Sequence, residues 1–209
     1  MRINKYVLVA GALALVMLFF VCKSPSINTW DIPKAATTDR IIFFGDSLTT
    51  GFGLQDKKDS YPNRVCKKLS KELILYGFNG YTTQDALAKL PLLKNEPPSL
   101  VVVTLGGNDI LRSRDLKTTG NNLRTIFTEL KKMNHTIVFT EVLSFFDSKR
   151  HNMYVELCKE MNIAMVPDLL DGLLSSVEAM QADTIHPAPL GCEAIANKVV
   201  GVLQEFHFN

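Results

Sequence analysis

A nearly uninterrupted apolar run near the middle of the chain, 100–105 (LVVVTL), most constrains its fold. Its residues are mostly β-branched and do not alternate with charged side chains, which is typical of a strand that is buried on both faces. Shorter runs of the same kind predict further strands at 41–44, 74–76, 136–142 and 163–166. The signal at 74–76 is the weakest, because this run is only three residues long.

Segments with apolar residues spaced by three and four positions lie between these runs and predict helices. Ser60 is placed to cap the first helix, and the others are predicted at 83–89, 116–130, 154–161 and 192–203. Strands that alternate with helices imply an α/β fold with a parallel sheet covered on both sides. Such sheets bind ligands at the carboxyl ends of their strands, so reactive residues are expected directly after strands.

The N-terminus has the pattern of a segment that directs export. Arg2 and Lys5 precede an uncharged, mostly apolar stretch at 6–22, as in a cleaved signal peptide or an uncleaved signal anchor. In either case the charge bias keeps the N-terminus in the cytoplasm and exports the rest of the chain. A lipoprotein signal at Cys22 is disfavoured, because Val21 is not a small residue. A buried core helix is the remaining interpretation of this stretch.

These features divide the chain into a signal peptide or signal anchor at 1–22, a linker at 23–39 and a folded domain at 40–209. The linker contains Pro, Ser, Asn and Thr and shows little apolar periodicity. The formal net charge is only +2, and the domain has no dense run of Lys and Arg. The pattern of a nucleic-acid-binding protein is therefore absent from the sequence.

The domain contains three cysteines, Cys66, Cys158 and Cys192. Their wide spacing matches neither a disulfide framework nor a CxxC metal site. They fall on the apolar faces of predicted helices, so we expect small buried side chains. A single disulfide pair in an exported domain is the alternative.

Four polar segments are candidates for a catalytic site: 45–48, 79–83 and 106–109 follow predicted strands, and 183–187 precedes the last helix. Ser47, in the first segment, is the candidate nucleophile, because its hydroxyl would stand at the edge of the sheet. A serine hydroxyl attacks efficiently only when a base removes its proton. The alternative interpretation is an ordinary turn, since Gly, Asp and Ser all favour turns.

His186 is the candidate base, and Asp183 is the residue that would orient it. A spacing of three residues lets one short turn hold the carboxylate against the imidazole Nδ1–H, which leaves Nε2 facing the serine. In isolation, an aspartate that caps a helix beside a surface histidine would explain the same pattern. A metal site would need more ligands, and the sequence offers no HxxxH or CxxC partner, so no metal is expected.

Acyl transfer also requires hydrogen-bond donors for the negative oxygen of the tetrahedral intermediate. Asn108 can supply its side-chain NH2 group, and Gly80 and Ser47 can supply backbone N–H groups. Taken separately, the pair 79–80 could be a hairpin turn and 106–109 a plain loop. A nucleophile, a base with its orienting acid and three oxyanion donors rarely occur together by chance, so the combination indicates an acyl hydrolase.

The four segments together resemble the conserved blocks of the SGNH (GDSL) hydrolases. GDSL surrounds Ser47, Gly80 matches the glycine of the second block, GGND surrounds Asn108, and DxxH ends at His186. The resemblance covers essentially the whole domain. The spans GDSLTTGFGL, GYTTQDALAKLP and VVVTLGGNDILR are most similar to the bacterial acyl-CoA thioesterase I, lysophospholipase and arylesterase group.

This resemblance implies a flavodoxin-like, three-layer α/β/α sandwich with a central parallel sheet, and serine hydrolysis that needs no metal or other cofactor. It assigns Ser47 as nucleophile and oxyanion donor, Gly80 and Asn108 as the other oxyanion donors, and Asp183 and His186 as the rest of the triad. Members of the group are usually exported to the periplasm, where an uncleaved 6–22 segment would anchor this chain in the inner membrane.

The chain departs from the group's pattern at two places, and its apolar segments separately suggest two walls of the substrate pocket. Tyr81 stands where close relatives often have an acid, and 70–80 looks compressed, which predicts a short or irregular second strand. The apolar segment at 87–93 and the loop at 51–54 are the expected walls of the substrate pocket, although Leu90 and Leu93 could equally be core residues.

The sequence therefore predicts an exported serine hydrolase of small-molecule or lipid esters or thioesters, with no nucleic-acid partner. A carbohydrate O-acetylesterase of the same fold is the alternative among enzymes. A non-catalytic, membrane-tethered binding module is the alternative from a different functional class.

Overall fold

The computed structural model describes residues 38–142 and 147–206. The predicted signal segment, 1–22, lies outside the described residues, as does the predicted linker up to residue 37. Within the described ranges, no helix combines the length and the apolar character needed to cross a bilayer.

The described residues form one five-stranded parallel sheet in the order β2-β1-β3-β4-β5. Its strands are β1 (Arg40–Gly45), β2 (Glu72–Gly77), β3 (Leu100–Thr104), β4 (Thr136–Thr140) and β5 (Ala164–Val166). The chain runs from β1 outward to β2 and then returns to the other side of β1. This reversal places a crevice at the carboxyl ends of β1 and β3, which is where such sheets bind ligands.

Helices separate the strands along the described chain. They are α1 (Ser47–Thr50), α2 (Tyr61–Leu69), α3 (Thr83–Leu87), α4 (Gly107–Leu111), α5 (Leu116–Lys132), α6 (Ser148–Glu160) and α7 (Pro189–Glu205). Two short 3-10 turns cover Lys57–Asp59 and Leu90–Leu93.

Two hydrophobic cores lie on opposite faces of the sheet. Ile41 and Phe43 of β1 belong to the core that α2 and α7 cover, and Ile42 and Phe44 belong to the core that α3, α5 and α6 cover. Because consecutive side chains of a strand point to opposite faces, a strand between two helical layers must be apolar throughout. The predicted three-layer α/β/α sandwich with a central parallel sheet is confirmed.

Strand β2 corrects the expectation of a short or irregular second strand. It has six residues and pairs with β1 in continuous register, from Arg40 opposite Glu72 to Gly45 opposite Gly77. It is the edge strand, and all its side chains are partly or fully exposed, so its apolar pattern is weak. Backbone pairing to β1 defines this strand, and backbone pairing leaves little trace in side-chain periodicity.

The predicted helix cap and the predicted state of the cysteines have different outcomes in the structure. Ser60 occupies the predicted position before α2 but makes no side-chain capping bond, and its hydroxyl instead accepts a hydrogen bond from the Asn63 amide. The three cysteines of the domain are buried and free, as expected, so the alternative of a disulfide pair is wrong.

Candidate active site

Ser47 is the first residue of α1, immediately beyond the carboxyl end of β1. The Asp46 side chain caps this short helix by accepting the Leu48 N–H at 3.0 Å. The ends of strands β1 and β3 approach each other closely at this point. A Cβ atom on Gly45 would lie only 2.4 Å from the Thr104 carbonyl oxygen. Glycine is therefore required where β1 turns into the nucleophile segment.

The structure brings Ser47, His186 and Asp183 into one hydrogen-bonded chain. His186 Nε2 lies 2.8 Å from Ser47 Oγ, and His186 Nδ1 lies 2.6 Å from Asp183 Oδ2. A carboxylate only accepts hydrogen bonds, so the Nδ1 atom carries the proton and Nε2 is left to accept from the serine. This is the arrangement that a base-activated hydroxyl requires.

Asp183 is held in its ionised form by the turn that contains it. Burial alone raises the pKa of this carboxyl, but the backbone N–H of His186, the His186 ring and the backbone N–H of Ile185 together lower it to about 2. Both N–H groups donate to Asp183 Oδ1 at 3.0 Å. The second oxygen therefore remains available for the imidazole, and its charge favours the imidazolium that forms when serine loses its proton.

The three expected oxyanion donors border one pocket with the triad serine and histidine. Gly80 and Asn108 line the same cavity as Ser47 and His186. The N–H of Ser47 is in the first turn of α1, where no intrahelical acceptor exists. Gly80 has a φ of 75°, in the left-handed region that glycine adopts readily, so a side chain at this position would strain the loop.

The side-chain amide of Asn108 is held from both sides. Its Nδ2 atom donates to Asp46 Oδ2 at 3.2 Å and to the Tyr81 carbonyl at 3.1 Å. Both hydrogens of this amide already have acceptors, so an oxyanion in the pocket would have to compete for one of them. The backbone carbonyl of Tyr81 is thus part of the site, whatever the side chain at that position.

Two aspartates with structural contacts to the site were not predicted from the sequence, although both lie inside the recognised motifs. Burial raises the pKa of Asp46 to about 7, against the lowering effect of its bonds from Leu48 and Asn108. Asp109 is buried and accepts bonds from Thr83 N at 2.8 Å and Thr83 Oγ1 at 2.7 Å. The sequence could have indicated both aspartates, because Asp46 adjoins Ser47 and Asp109 adjoins Asn108.

The pocket is a cavity of about 270 Å³ with a largely apolar wall. Its apolar side chains are Leu48, Phe52, Leu111, Val142, Leu170 and Ile185, and Asn79 and Gly107 line the cavity as well as the residues already described. Phe52, Leu111 and Ile185 are also 43–54% exposed, so the apolar surface continues to the mouth of the pocket.

The expected pocket walls are only partly correct. Phe52, from the predicted wall at 51–54, borders the cavity and packs against the His186 ring with 4.8 Å between ring centroids. The predicted wall at 87–93 is wrong and its alternative is correct, because Leu90 and Leu93 are buried in the core beneath α5. Apolar spacing indicates burial, but it does not distinguish a core from a pocket.

Comparisons with known proteins identify relatives of this chain in both sequence and structure. Esterase TesA of Pseudomonas aeruginosa is 28% identical over 193 residues, which cover 87% of this chain and 89% of that protein. A crystal structure of TesA superposes with a TM-score of 0.72 at 26% identity, covering 80% of this chain and 99% of that one.

Thioesterase 1/protease 1/lysophospholipase L1 of Escherichia coli K12 is 31% identical over 163 residues, which cover 74% of this chain and 78% of that protein. A family model of GDSL-like lipases and acylhydrolases matches residues 43–194, which is most of the described domain. The chain therefore belongs to the GDSL-like lipase/acylhydrolase family.

Proposed function

We propose that this protein is an exported serine hydrolase that cleaves carboxylic esters or thioesters through an acyl-enzyme on Ser47. The observation that carries the proposal is the 2.8 Å contact between Ser47 Oγ and His186 Nε2, with Asp183 on the far side of the ring. The names of the relatives, among them thioesterase, lysophospholipase and arylesterase, support the cleavage of ester and thioester bonds.

Acylation begins when Ser47 Oγ attacks the substrate carbonyl carbon and its proton moves to His186 Nε2. The charge on the carbonyl oxygen is met by the N–H groups of Ser47 and Gly80 and by the Asn108 amide. Each such donor is worth about 3–4 kcal/mol of the barrier. The intermediate then collapses, and the imidazolium gives its proton to the departing alcohol or thiol.

Deacylation repeats the same steps with water as the nucleophile. His186 takes a proton from the water molecule as it attacks the acyl carbon, and then returns a proton to Ser47 Oγ as the acid leaves. Asp183 stabilises the imidazolium in both halves of the cycle. The chain itself supplies the nucleophile, the base and the oxyanion donors, and water enters as the second substrate.

The substrate pocket favours an acyl chain of several carbons over an acetyl group. Its wall is formed mainly by leucine, isoleucine, valine and phenylalanine side chains, and its apolar surface reaches the rim at Phe52, Leu111 and Ile185. Transfer of each additional CH2 group from water to such a surface contributes about 0.8 kcal/mol. A carbohydrate O-acetylesterase would need more polar groups for the sugar than the exposed Asn79 side chain that also lines this cavity.

Export is supported by the charged start of the chain and its apolar segment at 6–22. Mass spectrometry of the protein from a bacterial host, after separation of soluble and membrane fractions, tests this point. A mature N-terminus beyond residue 22 indicates cleavage, whereas an intact one in the membrane fraction indicates an anchor. Recovery of the intact chain from the cytosol alone would contradict export.

The catalytic assignment is tested with a serine-directed fluorophosphonate probe and p-nitrophenyl esters. We expect the wild type to react and Ser47→Ala to lose labelling completely and kcat by a factor on the order of 10⁴–10⁶. Ser175→Ala, which changes an exposed serine far along the chain, serves as the matched control. A folded wild type that neither labels nor hydrolyses any ester would contradict the proposal.

The preference for longer acyl groups is tested by varying only the chain length of the same ester and of the acyl-CoA thioester. We expect kcat/KM to rise from the acetyl group to chains of roughly six to ten carbons, because each added CH2 group finds an apolar wall. Highest activity on acetyl groups would favour the O-acetylesterase instead.

A further inference from the structure

Gln181 closes the turn that carries the candidate base. We call 181–187 the histidine turn. The backbone N–H of Gln181 donates to the His186 carbonyl at 2.8 Å, and its own carbonyl accepts the Thr184 N–H at 2.9 Å. The two ends of the histidine turn are thereby fixed to each other, with Asp183 and His186 between them.

The side chain of Gln181 connects this turn to the segment that carries the nucleophile. We call 46–54 the nucleophile loop. Gln181 Nε2 donates to the Pro187 carbonyl at 2.9 Å and to the Phe52 carbonyl at 2.8 Å. A single amide group therefore bridges two segments that are 129 residues apart in the chain.

The nucleophile loop is shaped to receive this amide. A Cβ atom on Gly53 would lie 2.0 Å from Gln181 Oε1, so a side chain at this position would displace the amide from its present place. Phe52 also packs its ring against the imidazole of His186. The contact is thus a close fit between the loop backbone and the amide, and the two candidate catalytic side chains lie directly beside it.

Two hydrogen bonds connect the nucleophile loop with the histidine turn. In the part of the chain that the structure describes, the Ser47–His186 pair and the Gln181–Phe52 pair are the hydrogen bonds that join the nucleophile loop to the histidine turn. The first is the reacting pair, whose bond is exchanged during every cycle. The second is left to keep the segments together.

We infer that Gln181 is a positioning residue, which holds His186 at hydrogen-bonding distance from Ser47 while the serine proton is being transferred. The inference rests on the proposed function. Gln181 touches neither reacting atom and acts by fixing the backbone on both sides of the pair. A misplacement of about 1 Å between reacting groups can lower the rate on the order of 100-fold, so a modest loosening is measurable.

The test replaces the amide by a side chain of similar length without donors, Gln181→Met. We expect kcat for a p-nitrophenyl ester and the rate of fluorophosphonate labelling to fall together by about 10-fold to 100-fold, with the fold retained. Gln204→Met, which makes the same change on the exposed face of α7, should leave both rates within about twofold of wild type. Rates within twofold of wild type in a folded Gln181→Met protein would overturn the inference.

A double-mutant cycle with His186→Ala distinguishes positioning from general support of the fold. If Gln181 acts through the histidine, its replacement should have little effect on the residual hydrolysis of the His186→Ala protein. An equal fractional loss in both backgrounds would show that Gln181 does not act through His186.

A second variant keeps the test decisive if the methionine protein does not fold. Gln181→Asn retains the amide but shortens its reach by one methylene, so it cannot hold both carbonyl groups at bonding distance. We expect an intermediate loss of kcat, and wild-type rates for this variant would also overturn the inference. A wild type that lacks ester hydrolysis in the same assay would instead contradict the proposed function, so the two failures are distinguishable.

Discussion

Asp46 is a buried carboxyl group that touches both sides of the candidate site. One of its oxygens accepts the Leu48 N–H of the nucleophile segment, and the other accepts the Asn108 amide. Burial raises its pKa from 3.8 to about 7, although both bonds act in the opposite direction. The pKa of this carboxyl group therefore lies within the range of pH at which such enzymes are assayed.

The raised pKa of Asp46 predicts the sign of a pH effect on stability. A group whose pKa is higher in the folded state stabilises the fold below its unfolded pKa, and this contribution is lost as the pH rises through about 7. Between about pH 5 and pH 8 the wild type should thus lose on the order of 2 kcal/mol more than Asp46→Asn. Urea unfolding of both proteins at the two pH values measures this difference.

Exposed Glu178→Gln is the control for that experiment, because it removes one carboxylate without changing a buried group. Its pH-dependent change in unfolding free energy should match that of the wild type. If Asp46→Asn and the wild type lose the same amount between the two pH values, the burial argument for Asp46 is wrong.

Helix α3 is attached to the start of α4 and to α5 through buried side chains. Thr83, the first residue of α3, donates to Asp109 through its N–H and its hydroxyl, and Asn122 of α5 donates to the same hydroxyl at 3.1 Å. Gly80 precedes α3 and Asn108 adjoins Asp109. This junction therefore relates two of the three candidate oxyanion donors to each other.

Removal of the Thr83 hydroxyl should weaken both the fold and the reaction. Thr83→Val keeps the shape of the side chain but deprives a buried carboxylate of one donor and Asn122 of its acceptor. We expect a loss of about 2–3 kcal/mol in unfolding free energy, from urea titration, and a lower kcat under conditions where the protein stays folded. Thr125→Val, on the exposed surface of α5, should change stability by less than about 0.5 kcal/mol. Equal effects of the two substitutions would contradict the role of the junction.

The sheet and the candidate triad were predictable from the sequence for different reasons. Central strands such as β3 are apolar throughout because both of their faces are covered, which leaves a strong pattern. The triad residues lie within short motifs directly after strands or before the last helix. The edge strand β2 and the pocket wall were predicted poorly, since exposure weakens periodicity and apolar spacing does not identify what covers a side chain. Gln181 is a polar residue in a turn, and no periodic or motif signal distinguishes it.

The two cores share every strand of the sheet, so they are expected to unfold together. Ile41 and Ile42 are neighbours in β1 but belong to opposite cores, and the same alternation holds in β3. Loss of one helical layer would expose the apolar face of strands that the other layer still needs. The fold should therefore open as one cooperative unit.

The three buried cysteines report on this cooperativity, because Cys66 and Cys192 lie in one core and Cys158 in the other. Burial raises the pKa of Cys66 to about 12 and that of Cys192 to about 11, and it raises the pKa of Cys158 as well, so none reacts readily in the folded protein. In a Cys22→Ser variant, we expect a thiol reagent to label all three slowly and at one common rate, measured by mass spectrometry of peptides and normalised to rates in concentrated urea.

Added urea below the unfolding midpoint should accelerate the three reactions by the same factor, since each thiol becomes accessible only when the shared sheet opens. Faster labelling of Cys158 alone would mean that the layer of α3, α5 and α6 opens while α2 and α7 remain in place. In that case the cores would be separate units of stability, even though they meet on the same strands.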